Sequence, residues 1–268
     1  MKILIVGVGN MGATYLRCLL SSHFTQAENL FLLDSKPALL NNFKGVSAEN
    51  ILSAANKKIA EADIILLAVK PQDFVELSKT IQPYLHKEQI ILSIMAGVTI
   101  ASITALLGSE KIVRAMPNLP AQVGMGMTVF TSSNSLDKKE LFIIHNLLNT
   151  TGKTIYVEDE KMIDAATAVS GSGPAYVFYF MNAMIEQAIA FGFSKAEAEL
   201  MVNQTFMGAV HLQSKNDASC EEWIAKVASK GGTTEAALSV FNSSKLNKNI
   251  ADGLLAAKER AVQLGQKN

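Results

Sequence analysis

Through its first half the chain alternates short, dense apolar runs with longer stretches whose apolar residues return about every three to four positions. The runs at residues 2–6, 30–33, 64–69, 90–93, 112–115, 127–130 and 154–157 are rich in Ile, Val and Leu and predict strands; the stretches between them predict helices. Strand and helix in alternation mark crossover units on a parallel sheet, with helices on both faces. The run Ile64-Ile65-Leu66-Leu67-Ala68-Val69 has no polar position, as a strand covered on both faces requires, and so predicts a central place in the sheet.

After Asp159-Glu160 the dense runs stop and alanine-rich, helix-periodic sequence continues to Asn268. The chain therefore divides into residues 1–159, a doubly wound α/β domain, and residues 160–268, an all-helical domain. Pro174 suits the first turn of a long helix through Tyr176, Phe180, Met184 and Ala188 that stops at Gly192. Ser194 with Glu197, and Ser219 with Glu222, have the spacing of capping boxes and predict two further helix starts. Phe178, Phe180, Met181, Met184, Met201, Phe206 and Met207 fall on more than one helical face. Either an ordinary layered core buries them all or, as expected here, a second copy of the chain covers the surplus in a homodimer.

Composition narrows the partners. The 24 basic and 24 acidic side chains cancel, so no net field favours nucleic acid or an anionic membrane, and a small-molecule partner is expected. Although 49% of the residues are apolar, no uninterrupted run approaches the ~20 that a membrane-spanning helix needs. Only Met1-Lys2 precede the first apolar run, which leaves no room for a secretory leader and makes a cytoplasmic location the expectation. Cys18 and Cys220 form no C-x-x-C pair and read as packing residues. His23, His86, His145 and His211 lack the spacing that would let two imidazoles share a metal, so none is expected.

The first chemistry-bearing motif is Gly7-Val8-Gly9-Asn10-Met11-Gly12, set between the first strand and the helical stretch from Ala13 to Leu20. That spacing permits a tight turn, close approach of a pyrophosphate and close packing of helix on strand, with the helix N–H groups facing the phosphates. Asp34 ends the second strand, where a carboxylate accepts hydrogen bonds from an adenosine ribose and repels a 2′-phosphate, which favours NADH. Ser35 and Lys36 pull toward NADPH, and Asp34 also fits a plain turn, Asp34-Ser35-Lys36-Pro37. Ala68, Val69, Lys70 and Pro71 end the third of these strands, and the carboxyl ends of strands border the ligand crevice in doubly wound folds, although Lys70 equally suits a solvated turn. Met95 and Ala96, before Gly97, follow the next strand; small residues there leave room for a nicotinamide ring, and packing alone would also call for them. Near the other end, Gly231-Gly232-Thr233-Thr234 precedes the helical pattern from Glu235 to Leu238. It is a candidate site for a substrate carboxylate, with capping of the helix by a threonine as the simpler reading.

These segments, together with Arg114-Ala115-Met116-Pro117-Asn118, Ser170-Gly171-Ser172-Gly173-Pro174-Ala175-Tyr176 and Ser229-Lys230-Gly231-Gly232-Thr233-Thr234, resemble the pyrroline-5-carboxylate reductase family over nearly the whole chain, in the family's order. The resemblance implies a Rossmann-like domain followed by an all-α dimerisation domain. It implies reduction of 1-pyrroline-5-carboxylate to L-proline with NADPH or NADH, and a homodimer that can assemble into a larger ring such as a decamer. It places Val227, Ser229, Gly231, Gly232 and Thr233 around the substrate, with the Thr234 hydroxyl beside the imine nitrogen as the catalytic group. Asn56 matches the family's cofactor-contacting asparagine with a one-residue offset. Lys230 stands where many members have proline, and Asp34-Ser35 where many have basic residues. Two rivals remain at this level: a β-hydroxyacid-type dehydrogenase, which would need a lysine where Val177 stands, and a non-catalytic nucleotide-binding protein.

Overall fold

The computed structural model describes residues 1–36 and 45–266, so Pro37 of the expected turn lies outside the described residues. Strands β1 (Ile3–Val6), β2 (Leu30–Leu33), β3 (Ile51–Leu52), β4 (Ile64–Leu67), β5 (Ile90–Ser93), β6 (Ile112–Met116), β7 (Gly126–Ser132) and β8 (Gly152–Tyr156) form one sheet in the order β3-β2-β1-β4-β5-β6-β7-β8. β1 lies between β2 and β4, with Ile3 beside both Leu30 and Ile64, and β1 to β6 run parallel. The expected strands are all present and β4 is central. The two-residue β3 was not expected; it is too short to show a periodicity.

Alternation along these parallel strands supplies two cores. Ile3, Ile5, Leu32 and Leu66 meet Tyr15, Leu16 and Leu19 of α1 (Asn10–Ser21) and Ile144, Leu147 and Leu148 of α4 (Lys138–Asn149) on one face. Leu4, Val6, Leu33 and Leu67 meet Phe74 and Ile81 of α2 (Pro71–Ile81) and Ile103 and Leu107 of α3 (Ile100–Leu107) on the other. At about 1.5–3 kcal/mol for each large side chain removed from water, these two layers supply most of the drive for this unit to fold.

The parallel series breaks once. β7 runs antiparallel to β6, where a parallel crossover was expected, because only residues 117–125 join them and a parallel crossover needs about a dozen residues or more. α4 restores the crossover, and β8 lies parallel to β7. Asp137 and Glu140 start α4 with a capping box that sequence reading did not identify.

Cα proximity divides the chain into two compact units: Met1–Ser172 with the chain from Ala256 onward, and Gly173–Leu255. The first unit thus extends beyond the expected 159/160 division. Arg114, in β6 and only 1% exposed, donates from Nη1 to Glu160 Oε1 at 3.0 Å and from Nη2 to Asp164 Oδ1 at 2.6 Å, which fastens α5 (Lys161–Ala166) to the sheet. A buried guanidinium that lost these carboxylates would cost about 3–5 kcal/mol, enough to keep this segment with the first unit.

The second unit contains α6 (Gly173–Ala190), α7 (Lys195–Ser214), α8 (Cys220–Val227), α9 (Thr233–Ser243) and the first part of α10 (Leu246–Gln266). Both expected capping boxes are formed, at Ser194 with Glu197 and at Ser219 with Glu222. α6 buries none of its residues, and Phe178, Tyr179 and Met207 are 57%, 76% and 61% exposed. Among the described residues no helix is long and apolar enough to cross a membrane.

Tyr15 is completely buried, and burial, partly offset by the nearby Thr151 and Thr128 hydroxyls, pushes its pKa from 10.0 to about 12. The unfolded chain releases this proton first, so the fold loses stability as pH climbs from 10 toward 12, by roughly 3 kcal/mol in full. Tyr15→Phe should flatten that loss relative to the unaltered protein in urea titrations at pH 9, 10 and 11; equal slopes for the two proteins would show that Tyr15 does not titrate this way.

Candidate active site

The strand order reverses direction between β1 and β4, and the crevice beyond their carboxyl ends is where doubly wound folds bind ligands. Gly7 leaves β1 with φ +89°, and a Cβ there would lie 2.8 Å from Val69 Cγ1 and 3.0 Å from the Ala68 carbonyl. A Cβ on Gly12 would overlap the Gly7 carbonyl oxygen, so α1 can pack this closely only with glycine at that position. Gly9 is different: a Cβ there meets nothing within 4 Å. Internal packing does not demand this glycine, whereas close approach of a ligand would. Gly9 is also the N-cap of α1, with no side-chain cap, so the N–H groups of the first turn, around Asn10, Met11 and Gly12, lack intrahelical partners and face the crevice mouth.

Asp34 sits at the end of β2 with both carboxylate oxygens engaged. Val8 N–H donates to Oδ2 at 2.8 Å and Lys36 N–H to Oδ1 at 2.9 Å. The side chain thus bridges to Lys36, within the described part of the expected turn, and also fastens the glycine turn; each oxygen keeps a lone pair for a further donor. Ser35 and Lys36 are exposed beside it. Asn56 caps the short 3₁₀ helix Lys57–Glu61, its Oδ1 accepting from Lys58 N–H at 2.9 Å. The Ala68 N–H donates to the Val6 carbonyl at 2.8 Å, Lys70 is the exposed N-cap of α2, and Pro71 is its first residue. The Met95 side chain lies in the apolar layer under α2 and α3, which leaves its backbone for the crevice, while Ala96 is half-buried.

Two motifs turn out to be architectural. Asn118 donates from Nδ2 to the Ser170 carbonyl at 3.0 Å and accepts from Met127 N–H at 2.9 Å, and so ties β7 to the π-helical turn Thr167–Gly171. A Cβ on Gly171 would lie 2.8 Å from Met116 Cε. Glu160 Oε1, besides its bond to Arg114, accepts the Ile100 N–H at the start of α3 at 2.9 Å. Sequence reading assigned no role to Arg114, Glu160, Asp164 or Asn118; the available signal was an arginine inside an otherwise apolar strand.

In the second unit the remaining candidates form one loop. Val227, 66% exposed, ends α8; Ser229 and Lys230 follow, both exposed, and Gly231 turns at φ +72°. A Cβ on Gly232 would lie 2.5 Å from Ser229 Oγ, so the serine hydroxyl rests against this glycine. Gly232 is the N-cap of α9 and Thr233 and Thr234 begin the helix; neither threonine caps it. The simpler capping reading is therefore not what the loop adopts, and the first N–H groups of α9 stay available. Glu235 Oε2 accepts the Gly231 N–H at 2.7 Å and pins the turn, a contribution that sequence reading missed. The structure thus brings the glycine turn, Asp34, and the segments after β4 and β5 to the carboxyl ends of neighbouring strands in the first unit, gathers the Val227 to Thr234 candidates in one loop of the second, and shows Asn56 as a helix cap.

Residues 160–264 match the family model described as pyrroline-5-carboxylate reductase dimerisation, and residues 2–97 the model described as NADP oxidoreductase, coenzyme F420-dependent. The pyrroline-5-carboxylate reductase of Pseudomonas aeruginosa is 32% identical over 99% of this chain and 97% of its own length. That of Haemophilus influenzae is 34% identical, over 98% and 97%. A solved pyrroline-5-carboxylate reductase from Coxiella burnetii superposes with a TM-score of 0.88 at 31% identity, covering 98% of each chain. The crystal structure of Plasmodium falciparum pyrroline carboxylate reductase with NADP bound superposes at 0.87 and 28% identity, covering 99% of this chain and 98% of its own.

The second and third glycines of the turn should respond differently to alanine. Gly9→Ala leaves the melting temperature within about 2 °C but weakens dinucleotide binding about tenfold or more, whereas Gly12→Ala lowers both. Differential scanning fluorimetry with and without NADPH separates the two; normal binding by Gly9→Ala would remove the open face of Gly9 from the cofactor site.

Proposed function

The chain belongs to the pyrroline-5-carboxylate reductase family, and we propose that its two glycine-rich loops divide the family's reaction, the first holding the dinucleotide and the second the cyclic imine. The protein is an NAD(P)H-dependent oxidoreductase that reduces 1-pyrroline-5-carboxylate to L-proline, the last step of proline biosynthesis. The observation that carries the cofactor assignment is the bare first turn of α1 facing the open side of Gly9. This cradle fits a pyrophosphate, because uncapped N–H groups and the positive end of the helix dipole stabilise its charge without a lysine.

When bound, the nicotinamide supplies the hydride that reduces the imine carbon. The chain's own residues do the rest. The backbone of Gly9, Asn10 and Met11 holds the pyrophosphate, Gly7 and Gly12 give the turn its shape, and Asp34 and Ser35 meet the adenosine ribose. Asn56, the segment from Ala68 to Pro71, and Met95 and Ala96 border the dinucleotide. Gly231 and Gly232, whose N–H groups are spent on Glu235 and the Ser229 carbonyl, shape the loop around the substrate; the hydroxyls of Ser229 and Thr233 and the bare N–H groups at the start of α9 hold its carboxylate, and Val227 lines its apolar ring. The Thr234 hydroxyl hydrogen-bonds the ring nitrogen and relays to it the one proton that the reduction needs, forming the iminium that hydride then converts to the amine. Orientation of two rings in a water-poor site supplies much of the acceleration, since a protonated imine is already electrophilic.

The family's dimerisation region spans the helical unit, and the chain forms a dimer. Exposed apolar side chains of the first unit, Val123 and Met125 among them, support further assembly into a ring such as a decamer. Free Cys18 and Cys220 fit the reducing cytoplasm. Division between units 1–159 and 160–268 remains our functional reading, cofactor first and substrate second.

Initial rates with 1-pyrroline-5-carboxylate test the whole scheme. Because Asp34 presents a carboxylate where a 2′-phosphate would lie, kcat/KM should favour NADH over NADPH by roughly tenfold; the opposite preference would refute the Asp34 argument. Thr234→Ala should lower kcat about ten- to a hundredfold and leave the dissociation constant for NADH within about twofold, and undiminished kcat would take Thr234 out of the mechanism.

A further inference from the structure

The last turn of α10 returns to the first unit and meets the loop that follows β5. Gly97 takes φ +75°, and a Cβ on it would lie 3.0 Å from both the Gly265 nitrogen and Leu264 Cβ. The contact is reciprocal, because a Cβ on Gly265 would lie 2.5 Å from the Gly97 carbonyl oxygen. Two backbones touch here with no side chain between them, each with glycine at the point of closest approach. The loop they fix runs from the Ser93 end of β5 through Met95 and Ala96, and its Ile94 N–H is bonded to the Leu67 carbonyl at the end of β4, beside the crevice. Its far end is held as well, by Glu160 on the Ile100 N–H. Within α10 the other glycine, Gly253, meets nothing within 4 Å and so shows what a glycine without this duty looks like.

We infer that Gly265 is a positioning residue: the C-terminal turn of α10 is a backbone strut that sets the depth of the Ala96-Gly97 loop and thereby the space for the nicotinamide ring. This rests on the cofactor assignment above. Gly97 is fixed by its left-handed conformation, and a methyl group at residue 265 has no flexible neighbour to displace, since a carbonyl oxygen lies in its way. The loop must move into the crevice or the helix end must lift. Either displacement acts on the nicotinamide half of the ligand and leaves the adenosine half, bound across β1 and β2, untouched.

The test compares Gly265→Ala with Gly253→Ala in the full-length protein, by calorimetric binding of NADH against ADP-ribose and of NADPH against 2′-phospho-ADP-ribose. Both substitutions improve helix propensity, so a generic effect on α10 would appear in both. Gly265→Ala should weaken the intact dinucleotides about tenfold, keep both fragments within about twofold, and lower kcat by more than the binding loss; Gly253→Ala should leave all of these unchanged. Equal weakening of dinucleotide and fragment, or no weakening of either, overturns the inference. Should Gly265→Ala melt early, a chain ending at Gln263 removes the strut without a clash, and unchanged dinucleotide affinity there overturns it too. Binding is read without substrate, so failure of the reductase reading itself would show only in the unaltered protein's turnover.

Discussion

A guanidinium sealed from water must be met by carboxylates, and Arg114 meets two, both on the stretch of chain that leaves the sheet. The pairing holds α5 against β6 and β7, and the Glu160 oxygen that accepts from Arg114 also accepts the first N–H of α3. One ion cluster therefore fixes the exit from the α/β layer and one end of the loop between β5 and α3. The geometry of Ala96 and Gly97, and with it the shape of the crevice, thus depends on a buried ion cluster.

The crevice itself is built almost entirely from backbone. Gly7 brings the turn against Ala68 and Val69 after β4, and Gly12 brings α1 against the end of β1, at distances no other residue allows, while Gly9 leaves its side open and Asp34 ties the turn to β2 through the Val8 N–H. Donors of this kind cost no reorganisation when a phosphate arrives, since the fold already holds them in place. The same logic recurs at α9, where Gly231 and Gly232 open the helix start and Glu235 pins the turn from behind.

Local features were legible in the amino-acid order. Apolar runs announced seven strands, Ser-x-x-Glu spacings announced two helix starts, and the glycine turn between β1 and α1 could be read because its shape follows from neighbours within six residues. What escaped was long-range or too short. Arg114 lies 46 and 50 residues from its partners, Asp34 lies 26 from Val8, and Gly97 meets Gly265 near the other end of the chain; no periodicity encodes such meetings. β3 has only two residues, and the reversal at β7 depended on counting the short link before it. The loop before α9 drew notice mainly through family resemblance, because a glycine pair before a helix has several ordinary uses.

The bare flank of α6 has a thermodynamic consequence. Its Phe178 and Tyr179, with Met207 of α7, stand exposed in the single chain, within the region that matches the family's dimerisation model, and association gives such a face its cover. Mass action then enters its stability: each tenfold rise in concentration adds about 1.4 kcal/mol to the apparent free energy of the associated state. Abundance becomes one of the determinants of this fold, and a cell that makes little of the protein holds a less stable version of it.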